Sequence, residues 1–389
     1  MLDYASSRSL PGEQSDVLAF VRRLDWVLFG AVAALVAYGL WAVAGITRHD
    51  VEGNESYFVV RQAIAVGIGF VGLLAALAID PDRYRRAQKV IYGSTILLML
   101  LVFPLADETR GSKRWIELGP FQFQPSEFGK LLFVLALAGF LADRARRLNE
   151  PRVVLTALGL AVVPIVLVFK QPDLGTSLVY VAALAACLFV AGARWSHLLV
   201  LGTIGVAAVV GVLVLLPKVG IEVLEPYQKE RLTGFTNPDS DPSGITYNVT
   251  QSITAIGSGG LDGRGVDGAT QTRLDYLPEH ATDFVFASFA EQRGFLGAAL
   301  LLALYLLVVW RALRVVTVAR DAYGAIVAGG IVFAFLAQVF VNVGMTMGIA
   351  PVTGIPLPFV TVGGSSMVVN LIAVGVLLSI SARGIQHRR

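Results

Sequence analysis

Long apolar runs separated by short polar connections dominate the chain. Each run is long enough to cross about 30 Å of hydrocarbon as a helix. We expect helices rather than barrel strands, because lipid offers no partner to open backbone groups and the runs do not alternate apolar with polar residues. The expected spans are 25–46, 59–79, 89–106, 126–142, 153–170, 174–192, 197–216, 283–310, 322–347 and 364–382.

This pattern predicts an all-α polytopic membrane protein with about ten transmembrane helices and one long extracytoplasmic loop, at about 217–282. The first apolar run, Val27 to Ile46, is too long for the core of a secretory signal, so we expect an uncleaved first helix. The long loop has too few apolar residues for a core of its own, and we expect it to pack over the helix ends. The expected organisation is a cytoplasmic tail at 1–24, a single ten-helix domain at 25–384 and a cytoplasmic tail at 385–389.

Composition agrees with a membrane protein. Hydrophobic residues make up 55% of the chain and charged residues only 15%, and the mean hydropathy is +0.69, whereas a soluble domain carries about a quarter charged residues. The net charge of +3 is small and its basic residues are scattered through short connections. This distribution argues against a nucleic-acid partner.

The basic residues of the connections predict the orientation. One set of alternate connections carries 18 of them and the opposite set carries 10, half of these in the long loop. The positive-inside rule then places both termini in the cytoplasm, in the cytoplasmic (inner) membrane. Five polar segments fall on the opposite, outward side: GSKRWIELGPFQFQPSE from Gly111, KQPDLGTS from Lys170, YQKERLTGFTNPDSDPSG from Tyr227, LPEHATDF from Leu277 and PLPFVTVGGSS from Pro356. Their convergence predicts a site at the outer leaflet.

Two of these segments carry charged residues next to a helix start. Glu127 and Lys130 are three residues apart, so they share a helical face and can form an ion pair. That pair either makes both groups tolerable near lipid or lines a polar cavity. Asp173 follows a proline and suits an N-cap for the sixth span.

The other outward segments offer anion-binding groups. Arg114 and Trp115 either anchor a helix at the headgroup level or present a cation and a flat ring to a phosphorylated lipid. Arg231 is a second candidate phosphate ligand; the alternative is that it is an ordinary charged residue of a solvated loop. The GGSS sequence that contains Ser365 opens the tenth span and can either hold a phosphate with its N–H groups and hydroxyls or act as a glycine hinge.

Asp283 is the candidate with the sharpest alternatives. It lies where a loop enters the eighth span, so it can cap the helix or, facing an outer cavity, take a proton from a sugar hydroxyl. The nearby His280 is expected to be a solvated loop histidine. The four histidines show no metal-ligand spacing. No Walker loop, dinucleotide fingerprint, serine elbow or HExxH occurs, which argues against nucleotide-driven transport and serine or zinc hydrolysis.

Five ordered motifs resemble the SEDS (shape, elongation, division, sporulation) family over nearly the whole chain. They are GSKRWIELGPFQFQPSEFGKL, KQPDLGTSL, NPDSDPSGITYNVTQSITAIGSGGLDGRG, YLPEHATDFVFASFAEQRGFLG and GMTMGIAPVTGIPLPFVTVGGSS. IGSGGLDGRG and GATQTRLDYLPE are more similar to the elongation branch of the family than to the division branch. Two positions depart from the pattern: Ala281 stands where the family usually has the histidine of HTDF, and Gln292 stands where it has a second acid.

The resemblance implies a peptidoglycan glycosyltransferase that polymerises lipid II, an undecaprenyl-pyrophosphate-linked precursor, beside a class B penicillin-binding protein that supplies the transpeptidase. It maps the essential acid to Asp283, the paired acid and lysine to Glu127 and Lys130, and the QPDLGT aspartate to Asp173. It maps the RW pair to Arg114 and Trp115. No cofactor is certain; a divalent cation, Mg²⁺ or Mn²⁺, can share the task of stabilising the leaving pyrophosphate, although the sequence shows no dedicated cage for one.

Two other functions are compatible with a membrane bundle of this kind. A lipid II flippase would carry polar residues through the bilayer midplane and at both mouths. A non-catalytic scaffold for the penicillin-binding protein would tolerate loss of the Asp283 carboxylate. The clustering of polar segments on one side favours the enzyme.

Overall fold

Ten long helices follow the ten apolar runs. The computed structural model describes residues 19–106, 114–119, 121–211 and 245–387, together with residues 215 and 217. Eight of the described helices are long and apolar enough to cross a membrane, and two further apolar helices, which begin at Leu174 and Trp195, are shorter. The ten are α1 Trp26–Ile46, α2 Tyr57–Ala78, α4 Gln88–Leu105, α5 Pro125–Ala142, α6 Pro151–Phe169, α7 Leu174–Val190, α8 Trp195–Val210, α12 Val285–Val318, α13 Ala322–Thr346 and α14 Gly364–His387.

Short elements fill the connections. The helix α3 (Pro81–Arg86) joins α2 to α4, and an antiparallel hairpin of β1 (Ile116–Leu118) and β2 (Phe121–Phe123) leads into α5. Three further helices precede α12: α9 (Ile245–Ser258), α10 (Gly265–Gly268) and α11 (Thr270–Arg273). The hairpin and α9 were not predicted from the sequence. The part of the long loop between 218 and 244 lies outside the described residues.

Local sequence explains where several helices begin. The Asp25 carboxylate accepts a hydrogen bond from the Leu28 N–H at 3.0 Å at the start of α1, and the Asp321 carboxylate does the same for Gly324 at the start of α13. Both satisfy backbone donors that a helix leaves unpaired at its first turn. Pro125 and Pro151 occupy the first turns of α5 and α6, where a missing N–H costs nothing.

The core lies around α5 and α14, which are largely buried, whereas α2, α4 and α6 expose much of their apolar surface. This division suits a bundle with two central helices and peripheral helices that face lipid. The long loop is not a separate domain within its described part, because α9 packs against α12 and α13. There Ser252 donates a hydrogen bond to the Thr346 carbonyl at 2.7 Å.

One end of the bundle is tied together by arginine–aspartate pairs. At this basic end (connections 79–87, 143–150, 191–194 and 319–321), Arg85 contacts Asp143 at 2.8 Å and Arg320 contacts Asp82 at 2.5 Å. Arg383 of α14 also lies 3.4 Å from Asp80. The connections that the charge pattern assigned to one side therefore meet at one end of the fold.

The eighth span differs from its prediction, because helix α12 is broken at Gly294. This residue has φ +64° and ψ −168°, a conformation that favours glycine. A Cβ there would lie 2.3 Å from the Gly263 nitrogen and 2.5 Å from the Leu261 oxygen. Helical geometry resumes after the break and continues to Val318, beyond the expected end of the span.

The preceding loop supplies the hydrogen bonds that α12 loses at the break. The Phe295 and Leu296 N–H groups donate to the Gly260 and Leu261 carbonyls at 2.8 and 3.1 Å, and the Arg264 N–H donates to the Glu291 carbonyl at 2.9 Å. These three bonds replace intrahelical ones, so the break leaves those backbone groups satisfied.

Candidate functional site

The end opposite the arginines gathers most of the polar segments. We call it the polar end (connections 47–56, 114–124, 170–173, 259–284 and 347–363). Its centre is the start of α5, where the Gln124 N–H donates to the Ser365 hydroxyl at 2.9 Å and the Gln124 side-chain amide donates to the Asp173 carboxylate at 3.2 Å. Three sequence-distant segments, which open α5, α7 and α14, therefore meet around one glutamine.

Glu127 and Lys130 form the expected ion pair. The Lys130 Nζ lies 2.7 Å from the Glu127 Oε1, and the two side chains are 10% and 1% exposed. Opposite charges buried this deeply depend on each other, because either one alone would lack compensation. The neighbouring Ser126 carbonyl accepts a hydrogen bond from the Tyr180 hydroxyl at 3.0 Å, which fixes α5 against α7.

Asp173 is the N-cap of α7, as the sequence predicts. Its Oδ1 accepts a hydrogen bond from the Thr176 N–H at 3.0 Å. The other carboxylate oxygen accepts the Gln124 amide described above, and the residue is almost fully buried. Asp173 therefore both caps a helix and holds the start of α5.

The GGSS groups are engaged by protein atoms. The Ser365 hydroxyl donates to the Gln122 carbonyl at 2.7 Å while accepting from the Gln124 N–H. The Gly363 N–H donates to the side-chain oxygen of Gln62 at 3.2 Å, and the Ser366 hydroxyl accepts from Asn370 at 3.2 Å. These contacts anchor the start of α14 to α2 and to the β-hairpin.

The backbone around Asp283 is held from two sides. The Asn342 side chain on α13 donates to the Asp283 carbonyl at 3.1 Å and to the Ile355 carbonyl at 2.8 Å. From the other side, the Val362 N–H donates to the Ala281 carbonyl at 3.1 Å. Segment 281–283 is thus fixed between α13 and the loop that leads to Ser365.

Asp283 lies just before the start of α12. The assigned N-cap is Phe284, whose side chain makes no capping bond. Asp283 precedes the cap and is half-buried, and a carboxylate at this place next to a helix N-terminus is favoured by the helix dipole. Helix capping and a catalytic role both stay predictions for Asp283.

Two candidate phosphate ligands remain, Arg114 and Arg231, and the structure describes only the first of them. The Arg114 guanidinium lies over the Trp115 ring, 5.7 Å from its centroid, just before β1, so the cation and the flat ring form one unit at the polar end. Arg231 lies outside the described residues.

His280 is paired, so the expectation of a solvated histidine is wrong. Its Nε2 lies 3.0 Å from the Asp50 carboxylate in the first polar-end connection, and its side chain is only 12% exposed. Burial lowers the pKa of His280, but the hydrogen bond and charge of Asp50, the charge of Asp275 and a backbone hydrogen bond at Leu277 together outweigh burial and raise that pKa. The pair ties the 47–56 connection to the segment that carries Asp283.

The raised pKa of His280 predicts a pH-dependent stability. A histidine whose pKa is higher in the folded state stabilises fully below its unfolded pKa of about 6.5, and this contribution is lost as the pH rises through the folded value. We expect the melting temperature to fall over that pH interval in the native chain and to fall less in His280→Gln. Thermal melts of purified protein at several pH values measure this, with His197→Gln as the control that removes a histidine elsewhere. An unchanged slope in His280→Gln would contradict the assignment.

Glu291 is a structural anchor. Its carboxylate accepts hydrogen bonds from the N–H groups of Gln271 and Thr272 at 2.9 and 3.0 Å and from the Thr272 hydroxyl at 2.8 Å. The side chain is fully buried. Glu291 therefore holds α11 against the first segment of α12.

A small apolar cavity of about 50 Å³ adjoins the ion pair, between α5, α12, α13 and α14. Lys130, Gln338 and Asn370 are its polar lining residues, and the remaining walls are apolar side chains such as Val308 and Phe359. Among the described residues, the Gln338 side-chain nitrogen has no hydrogen-bond partner. The cavity is therefore lined by apolar side chains, with a few polar groups at its edge.

The sequence interpretation missed Gln62, Gln124, Gln338 and Asn342. A signal was present for three of them, because amides inside apolar spans are expensive unless they hold something in place. Gln338 and Asn342 are also four residues apart, on one helical face. Gln124 carries no such signal, because it lies in a polar connection.

Within the part of the chain that the structure describes, no three His, Cys, Asp or Glu side chains converge as possible metal ligands. Mg²⁺ is usually held by one or two carboxylates together with substrate phosphates, so a divalent cation that binds with the pyrophosphate stays a prediction.

Comparison with known proteins gives consistent matches over almost the full length. The FTSW_RODA_SPOVE family model, described as "Cell cycle protein", matches residues 22–385. Stage V sporulation protein E of Bacillus subtilis (strain 168) is 37% identical over 370 residues, which cover 94% of this chain and 96% of that protein. Peptidoglycan glycosyltransferase MrdB of Escherichia coli (strain K12) is 35% identical over 358 residues, which cover 92% and 94%.

A solved structure is similar in fold as well as sequence. It is described as "Structural coordination of polymerization and crosslinking by a peptidoglycan synthase complex". The match has a TM-score of 0.78 and 31% sequence identity, and it covers 93% of this chain and 99% of that chain.

Proposed function

The chain belongs to the FtsW/RodA/SpoVE family of cell cycle proteins, here also called the SEDS family, and from this premise we propose that it is a peptidoglycan glycosyltransferase of cell-wall synthesis. In this proposal it polymerises lipid II into glycan strands at its polar end, which faces outward. It is a multi-pass membrane protein, and the proposed orientation places both termini in the cytoplasm because the basic end carries most of the arginines.

The observation that carries the proposal is the fixed position of Asp283. Its backbone is bound by Asn342 on one side, and its segment is bound by Val362 on the other. A general base must be held within hydrogen-bond reach of the proton that it removes. Two anchors from different parts of the fold hold the backbone of Asp283 in place, which supports this role.

The proposed reaction joins two sugars. The Asp283 carboxylate takes the proton from the 4-hydroxyl of the acceptor sugar, whose oxygen attacks the anomeric carbon of the donor. The bond from that carbon to the pyrophosphate breaks, and undecaprenyl pyrophosphate leaves with the bonding electrons. Negative charge therefore grows on the pyrophosphate, and cations near it lower the barrier.

We assign the cationic role first to Arg114 and Arg231. Arg114 lies at the polar end with the Trp115 ring beside it, an arrangement that offers both charge and a flat surface to a phosphorylated glycolipid. Lys130 already forms an ion pair with Glu127. In the proposal it therefore contacts the substrate at the edge of the apolar cavity and does not serve as the main cation for the pyrophosphate. Asp173 and Ser365 act by holding Gln124 and the start of α5 in place.

The apolar cavity gives the lipid part of the substrate a place to bind. It reaches from Phe359 near the polar end to Leu377 within α14. Its walls favour contact with an isoprenoid segment by burial of apolar surface. Lipid II would then enter sideways between helices, with its pyrophosphate near the polar end.

A class B penicillin-binding protein is the proposed partner. The similar solved structure is described as a complex that coordinates polymerisation and crosslinking, and a glycosyltransferase alone does not crosslink. The sequence of IGSGGLDGRG supports a role in elongation and cell shape. In the structure this loop forms the backbone hydrogen bonds that α12 lacks at its break.

The test supplies lipid II to purified full-length protein in liposomes and reads glycan chain length on a gel. We expect polymer to form. Movement of labelled lipid II to the other leaflet without polymer would favour the flippase instead. The scaffold would be favoured by a third result: lipid II is neither polymerised nor moved, and the penicillin-binding protein binds tightly without restoring turnover.

A further inference from the structure

A second cavity lies at the basic end, far from the proposed active site. It occupies about 640 Å³ between α4, α5 and α6. Its inner wall includes the apolar side chains of Phe133, Leu137 and Phe140, and its mouth includes Lys89 and Arg144. Phe133 lies nine residues before the end of α5, which places it about 13 Å from the mouth at the helical rise per residue.

The charges at the mouth do not cancel. Arg147 also lines the cavity, but it is neutralised by Glu150 through two contacts of 2.9 Å. The Asp143 carboxylate is neutralised by Arg85 at 2.8 Å and also accepts from Gln88. Among the described residues, Lys89 and Arg144 have no carboxylate within ion-pair distance. Against the effect of burial, the charge of Arg144 nevertheless helps Gln88 and Arg85 to lower the pKa of Asp143. Two positive charges therefore remain at the mouth.

Arg144 is positioned at the boundary between polar and apolar surface. Its guanidinium lies 4.1 Å from the centroid of the Phe140 ring, and its Nη1 donates to the Phe140 carbonyl at 3.3 Å. This arrangement keeps the cation against the last turn of α5 while other N–H groups face outward. The hydroxyl of Tyr92 donates to the Leu160 carbonyl at 2.9 Å and joins α4 to α6 across the cavity.

We propose that this cavity binds one anionic phospholipid from the leaflet at the basic end. Its phosphate lies between Lys89 and Arg144, and an acyl chain lies along Phe133, Leu137 and Phe140. A soluble anion would use the cations but not the apolar wall, and a zwitterionic lipid would use the wall but bring no net negative charge. Basic clusters at the membrane surface attract anionic headgroups by about 1 kcal/mol per cation.

The test is native mass spectrometry of the purified full-length protein with phosphatidylglycerol added to the detergent. We expect one tightly retained lipid in the native chain. In the double variant Lys89→Gln/Arg144→Gln, we expect retention to weaken by roughly 30-fold, from the loss of two cations. Glutamine removes the charge but keeps a polar side chain, and size-exclusion chromatography checks that the variant is folded.

The matched control is Arg83→Gln/Arg314→Gln, which removes two exposed cations from the same end but outside the cavity. We expect this control to retain the lipid like the native chain. Equal loss in both double variants would show general surface attraction and overturn the proposal. Equal retention of phosphatidylcholine by the native chain would overturn it too, because the cavity would then not recognise headgroup charge.

Discussion

Replacing Asp283 with asparagine is expected to abolish most glycan polymerisation, by about 10² to 10⁴ in rate. Asparagine keeps the size and polarity of the side chain but cannot accept the proton of the sugar hydroxyl. The backbone contacts of this segment, from Asn342 and Val362, do not involve the carboxylate. The loss should therefore appear in the turnover rate while binding of lipid II changes little.

The measurement compares initial rates of polymer formation by the native and Asp283→Asn proteins in liposomes. The control is Asp262→Asn, an exposed acid in a neighbouring polar-end loop, which should leave the rate unchanged. If Asp283→Asn retained full turnover with an intact fold, Asp283 would not be the base. The glycosyltransferase activity itself could then survive with another group in that role.

Replacing Lys130 with methionine is expected to lower the free energy of unfolding by about 3–5 kcal/mol, since it leaves an uncompensated buried carboxylate. The Glu127 side chain is only 1% exposed and cannot recover water. The double variant Glu127→Gln/Lys130→Met removes both charges and should restore most of the lost stability. Denaturant titration of the purified proteins measures both changes.

The chain offers a matched control at the other end. Arg147 and Glu150 are also three residues apart and in contact at 2.9 Å, but their side chains are 66% and 45% exposed. Arg147→Met should change stability little, because water solvates the remaining carboxylate. A double variant at Glu127 and Lys130 as unstable as Lys130→Met alone would mean that shape rather than charge explains the loss.

The helices were predictable because each follows from a local constraint. An apolar run in lipid must satisfy its own backbone, so every expected span became a helix. Asp173 as an N-cap and Glu127 with Lys130 as a pair were predictable for the same reason, since both depend on residues three apart. The orientation of the bundle and the role of Arg231 stay predictions.

The rest depended on contacts between distant residues. Gln124 reaches Ser365 across 241 positions, and His280 reaches Asp50 across 230, and no local pattern encodes either contact. The break at Gly294 was missed because glycine is common in membrane helices. Only the approach of the 260–264 backbone explains why this glycine, and not another, interrupts the helix.

The interruption of α12 separates two helical registers. In an unbroken helix, one inserted residue turns everything beyond it by about 100°. Here the contacts of Glu291 and Arg264 fix how the short segment before Gly294 is rotated about its own axis. The rotation of the longer segment after Gly294 depends on its packing neighbours and on lipid. Changes in the lipid-facing segment after Gly294 can therefore accumulate over evolution without rotating the segment that follows Asp283.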